Sequence, residues 1–119
     1  MHLYKLEEIA KKYGILYTIV VQLDDDTLDI IGDRDKLKYD DIVKLYFDDI
    51  NSIKHLNKSL EGQLMPRLLS QGEIACIICK PNDNIIISMF FDESKSSFDA
   101  VDLSEDVNQD IEELWGGKY

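Results

Sequence analysis

The stretch from residue 73 to residue 91 limits the fold most. Residues 73–80 and 84–91 are nearly all apolar, and only Pro81-Asn82-Asp83 stands between them. Short apolar runs bounded by turn residues read as strands. Parallel strands need a crossover of a dozen or more residues, so a three-residue connection makes this pair antiparallel. Side chains alternate between the faces of a strand. A strand that is apolar at successive positions therefore needs cover on both faces and belongs inside a sheet. Helices elsewhere in the chain must supply that cover.

The flanking sequence contains them. Leu3, Leu6, Ala10 and Tyr13 recur at helical spacing, and Gly14 ends the pattern. Residues 15–23 read as a strand and residues 27–31 as a shorter one ending at Gly32. Asp24-Asp25-Asp26 makes a carboxylate-rich hairpin tip between them. After a polar connection, Asp40 or Asp41 can cap a long helix running to Gly62. Its apolar stripe is Ile42, Tyr46, Ile50, Ile53, Leu56 and Leu60, widened by Val43 and Phe47. Residues 63–70 form a further strand carrying Leu64, Met65, Leu68 and Leu69. Pro66 inside it lacks a ladder donor and places it at a sheet edge. Gln71-Gly72 is a turn, and residues 92–97 a polar loop. Asp102-Leu103-Ser104-Glu105 reads as a capping box opening a last helix, with Leu103, Val107, Ile111 and Leu114 on one face and Trp115 at its end. The expected order is α-β-β-α-β-β-β-α. This is an α/β (α+β) fold, a five-stranded, mostly antiparallel sheet flanked by three helices, in one domain spanning 1–119. Ile19, Val21, Ile77, Ile87 and Phe91 are expected in its core.

Charge narrows the partners. Against 24 acidic residues stand 13 basic ones, for a net charge of -11. Such a surface disfavours nucleic acid and anionic membrane and suits a basic protein face, although plain solubility also explains it. Apolar stretches are too short to span a bilayer, and the charged, helical start is unlike a secretory leader. The expected location is the cytoplasm.

The residues that could carry chemistry have plainer readings. Cys76 and Cys79 form a C-x-x-C, but within a strand residues three apart face opposite ways, so no thiol pair forms. Zinc would need further ligands. His2 and His55 have no nucleophile or metal context. Asp24, Asp25, Asp26, Asp29, Asp33 and Asp35 lack the glycine and terminal glutamate of a calcium loop, and read as a solvated tip. Nucleotide-binding glycine loops and a nucleophile elbow are missing from the sequence. No catalytic, cofactor or metal residue is assigned, and the chain reads as a non-enzyme.

The order and lengths of these elements resemble the roadblock/dynein light chain domain. The resemblance covers nearly the whole chain. It rests on the long helix over 41–62, the segment Gln63-Leu64-Met65-Pro66-Arg67-Leu68-Leu69-Ser70-Gln71-Gly72, and the hairpin of residues 74–80 and 85–91. It implies a sheet with the long helix on one face and the terminal helices on the other. It further implies a homodimer through the long helix and the following strand, with Val43, Phe47, Ile50, Leu64, Pro66 and Leu68 in the contact. Many family members bind small Ras-like GTPases or act as adaptors, and some bacterial ones stimulate GTP hydrolysis by the partner. The Met-Pro-Arg in the proposed dimer strand and the acidity depart from better-known members. A regulator or adaptor is therefore expected. The alternative is an acidic immunity protein that neutralises a basic toxin. A ligand-sensing domain of related outline and an enzyme using scattered carboxylates rank below both.

Overall fold

A computed structural model describes residues 3–37, 43–44, 47–60, 66–71, 73–95 and 99–115. Helix α1 (Leu3–Tyr13) is followed by strands β1 (Tyr17–Gln22) and β2 (Thr27–Gly32). Helix α2 (Ile50–Ser59) precedes strands β3 (Arg67–Gln71), β4 (Ile74–Asn82) and β5 (Ile85–Asp92), and helix α3 (Ala100–Leu114) comes last. The order is the expected one. The strands lie β2-β1-β5-β4-β3, and each neighbouring pair is antiparallel. All of β5 and the first six residues of β4 are buried. The two most apolar segments thus lie inside the sheet, as burial on both faces requires.

Strand alternation divides the interior into two cores. On one face Tyr17, Ile19, Val21, Ile74, Cys76, Ile78, Ile86 and Phe90 meet Ile53, Leu56 and Leu60 of the α2 segment. On the other, Val20, Ala75, Ile77, Cys79, Ile87, Met89 and Phe91 meet α1 through Leu6 and Ile9 and α3 through Leu103, Val107 and Ile111. The expected core residues Ile19, Val21, Ile77, Ile87 and Phe91 are all at most 1% exposed. Two helices cover one face and α2 the other.

Four element boundaries differ from the sequence reading. The long helix is interrupted. Val43 and Lys44 are helical, but residues 47–49 leave the helix before α2 begins at Ile50. Asp49 is extended (φ -144°, ψ 160°), and its carboxylate accepts from the Ser52 amide at 2.8 Å and the Ser52 hydroxyl at 3.2 Å. A side-chain cap inside an apolar helical period competes with the backbone ladder and starts the helix afresh. The expected caps Asp40 and Asp41 lie outside the described residues. For α3 the cap is Asp99, which accepts from the Val101 and Asp102 amides, and not Asp102. Asp102 instead sits in the first turn, where its charge complements the helix dipole. Finally, β3 starts at Arg67, so Pro66 stands before the strand, where its missing donor costs no ladder bond. Pro81 is accommodated differently, inside β4. The β4–β5 register shifts between Cys79 and Asn82, so β4 extends through Pro81 and the turn shrinks to Asp83-Asn84. The Asn82 side chain closes it by accepting from the amides of Asn84 and Ile85.

Two glycines are required for different reasons. Gly14 (φ +71°) ends α1, and the amide of Ile15 reaches back to the Ala10 carbonyl at 2.9 Å. A Cβ there meets open space. Gly32 (φ +93°) ends β2 over the Leu16 carbonyl, and a Cβ would approach that oxygen to 2.4 Å. Gly14→Ala should cost about 1–2 kcal/mol, the left-handed backbone penalty alone. Gly32→Ala should cost clearly more, since backbone must also move. Urea unfolding of the two variants reads the difference, and equal losses would contradict it.

The cysteines follow the strand parity. Cys76 belongs to the α2-side core and Cys79 to the core under α1 and α3. Burial is the main cause that pushes both thiols well above the ordinary range. Below about pH 8.5 thiols are protonated in folded and unfolded chains alike. Above it the unfolded thiols ionise while the folded ones do not, so stability is lost as pH rises. The expected slope is up to ~1.4 kcal/mol per pH unit for each thiol. Chemical denaturation at pH 7.5, 8.5 and 9.5 checks this against the Cys76→Ala/Cys79→Ala variant. That variant should be less stable at pH 7.5 but lose less on going to 9.5; parallel pH curves would refute the assignment.

Candidate protein-interaction surface

Strand β3 is one edge of the sheet, beside the end of α2. The Arg67 guanidinium donates to the Ser59 hydroxyl at 3.3 Å, tying the edge to that helix. Pro66 and Leu68 are half-buried on this edge. Leu68 lies opposite Ile77 and packs on the α1/α3 side, whereas Leu69 lies opposite Cys76 and packs on the α2 side. Ile50 is half-buried at the start of α2. Leu64 falls outside the described residues. Val43 and Phe47, expected to meet a second copy, are only 2% and 3% exposed. They belong to the chain's own core, where the Phe47 ring meets Phe90 edge-on at 5.8 Å. The ten-residue α2 is too short to roof β1 and β5 alone, so these two side chains complete the cover.

The carboxylates are put to structural use. The two hairpin tips at this end of the sheet are joined, with Asn84 accepting from the Leu23 amide through its carbonyl and from the Asp24 amide through its side chain. Asp26 pairs with Lys54 of α2 at 3.3 Å, and Asp48 with Arg34 at 3.2 Å. Asp33 caps the 3-10 turn Arg34–Lys36 by accepting from the Asp35 amide. Among the described residues no group of three or more His, Cys, Asp or Glu is placed to hold a metal. His55 is exposed on α2, and His2 lies outside the described residues.

An open groove of about 300 Å³ runs between α1 and α3, lined by Lys5, Glu8, Ile9, Lys12, Asp110 and Glu113. It carries charges of both signs, and one ion pair crosses it. Lys12 reaches Asp110 at 3.1 Å, and the Tyr13 hydroxyl donates to the same carboxylate at 2.8 Å. Burial first, then that bond, pushes the Tyr13 hydroxyl above its ordinary value. The cluster clips the two helices together. No described helix is long and apolar enough to cross a membrane.

The sequence reading missed the opposite edge. Leu28 and Ile30 of β2 are 39% and 48% exposed. They lie opposite Val21 and Ile19, hence on the α2 side of the sheet, beyond the reach of the helical cover. Their spacing of two residues within a short strand was the available signal. Which side of the hairpin lay at the edge depended on the strand order.

No family model matches the chain, and no curated protein matches it either. Solved structures do match. Myxococcus xanthus MglC aligns with a TM-score of 0.64 and 11% identity over 98% of both chains. Myxococcus xanthus MglB aligns with a TM-score of 0.60 and 11% identity, over 96% of this chain and 94% of that one. The gliding protein MglB from Thermus thermophilus gives 0.58 and 15%, over 97% and 88%. The sheet order, the two-sided helical cover and these alignments agree that the chain has the roadblock-like fold of MglB and MglC over nearly its whole length.

Proposed function

We propose that the chain is a non-catalytic protein-binding regulator or adaptor, that it works as a homodimer, and that its partner is a small Ras-like GTPase. The observation supporting this most is the roadblock-like fold over almost the full chain, with a half-buried apolar edge at β3 beside α2. Edge strands expose unpaired N–H and C=O groups that natural proteins cover or protect. Two β3 edges related by a twofold axis would pair into one continuous sheet, with Pro66, Leu68 and Leu69 facing their counterparts. Val43 and Phe47 act from beneath, holding α2 in place. The net charge of -11 opposes association, but at physiological salt that repulsion is screened beyond about 8 Å. A solved MglB with a tetrameric arrangement is consistent with self-association on this fold.

Sedimentation at micromolar concentration is expected to show a dimer. Leu68→Lys should weaken it roughly tenfold or more, a loss of at least ~1.4 kcal/mol, with the fold retained. Tyr4→Lys, on a fully different exposed site, is the control. A clean monomer for the unmodified protein would overturn the dimer and favour the acidic immunity-protein alternative. The GTPase arm is separate. A Ras-like GTPase from the same source, loaded with a non-hydrolysable GTP analogue or with GDP, should bind in one nucleotide state in preference to the other. Absence of binding in both states removes the GTPase and leaves the adaptor.

A further inference from the structure

We infer that the outer edge of β2 accepts an extended, basic segment of another protein as an additional strand of the sheet. Strand β2 is the edge farthest from β3, so this inference holds whether or not β3 dimerises.

Three observations converge on this edge. First, β2 offers six residues of regular strand, paired to β1 without a register shift from Tyr17↔Gly32 to Gln22↔Thr27. The unpaired side of such a strand is a template for a further one. Second, Leu28 and Ile30 are the most exposed large apolar side chains of the sheet, two residues apart on one face. They give an incoming strand two apolar contacts at its own alternating period. The strip they form is bracketed by the exposed Asp26–Lys54 and Arg34–Asp48 ion pairs, which join the flanks of β2 to the α2 side. Third, the charge around the strip is one-sided. Residues 24–36 hold Asp24, Asp25, Asp26, Asp29, Asp33 and Asp35 against Arg34 and Lys36, and Lys54 offsets Asp26, so the field at the strip is negative on balance.

That charge decides the occupant. A second copy would bring the same carboxylates together, with Asp29 near its counterpart in the middle of the pair, and like charges across a strand pair destabilise it. An apolar segment would gain the two side-chain contacts but nothing from the field. A segment alternating lysine or arginine with apolar residues satisfies both. Its apolar side chains meet Leu28 and Ile30, and its basic ones lie beside Asp29 and the two acidic ends. The acids that bar self-pairing are the ones that select a basic strand.

The test uses two capped octapeptides, one alternating lysine with valine and one alternating glutamate with valine. Amide hydrogen exchange is followed by NMR in the intact protein. The lysine peptide should slow exchange at residues 27–32 at least tenfold, and do so less as salt is raised. The glutamate peptide should not. Ile30→Lys, at a half-exposed position, should abolish the protection without changing the melting temperature by more than a few degrees. Leu28→Asn, which removes apolar surface and adds no charge, should weaken it at least threefold. Four results would overturn the inference: no protection at β2, protection confined to β3, equal protection by both peptides, or indifference to both substitutions. Protection of β2 that grows with protein concentration alone would also overturn it, by naming a second copy as the occupant.

Discussion

Burial of the β4–β5 hairpin on both faces is the constraint from which the rest of the structure follows. Cys79 and Ile87 face one layer while Cys76, Ile86 and Phe90 face the other, and none tolerates water. Removing a side chain such as Phe90 from such a site costs about 3–5 kcal/mol, a large share of the stability of a domain. The terminal helices must therefore converge on one face although they are far apart in sequence. The Lys12–Asp110–Tyr13 cluster joins them over the last turn of α1. On the other face α2 is too short to do the work alone, which explains why Phe47 and Val43 turn inward.

The acidity of the chain is distributed by purpose. Asp49, Asp99 and Asp33 each satisfy backbone amides at the start of a helical segment. Asp26, Asp48 and Asp110 each hold a base from a neighbouring element. At exposed positions such pairs contribute little individually, with a typical range of 0–1 kcal/mol. Their effect is geometric: they fix where the hairpin tips and helices meet. What remains is an unbalanced negative field around β2. Of the two sheet edges, β3 is the less charged and β2 the more so. A molecule with this asymmetry can offer one edge to a like chain and keep the other for an unlike one.

Much of this was legible in the sequence because the signals are local. Apolar runs, helical periods and turn residues placed every strand and the core residues Ile19, Val21, Ile77, Ile87 and Phe91. The parity of a strand is enough to place Cys76 and Cys79 on opposite faces. Boundaries were less legible where two local preferences compete. Ile42 to Leu60 keeps one helical period, yet Asp49 inside it is also a cap, and the cap prevails. Asp99 and Asp102 are both acceptable caps for α3, and the extended backbone at Asp99 makes it the one that caps. Pro66 and Pro81 each disturb a strand, one by delaying its start and the other by a bulge, and sequence does not distinguish these remedies.

The sequence by itself determined the number, type and order of the elements, and that both faces of the sheet need cover, because these depend on periods of two and 3.6 along the chain. Only the tertiary structure decided which strands are edges. Strand order β2-β1-β5-β4-β3 is a matter of which surfaces close over one another, and that depends on contacts between residues far apart in the chain. The same closure decided that Val43 and Phe47 belong to the core while Leu28 and Ile30 remain outside. An apolar residue carries no mark of whether a neighbour will reach it. Exposure is a property of the assembled layers, and it is exposure that separates a packing residue from one that can meet a partner.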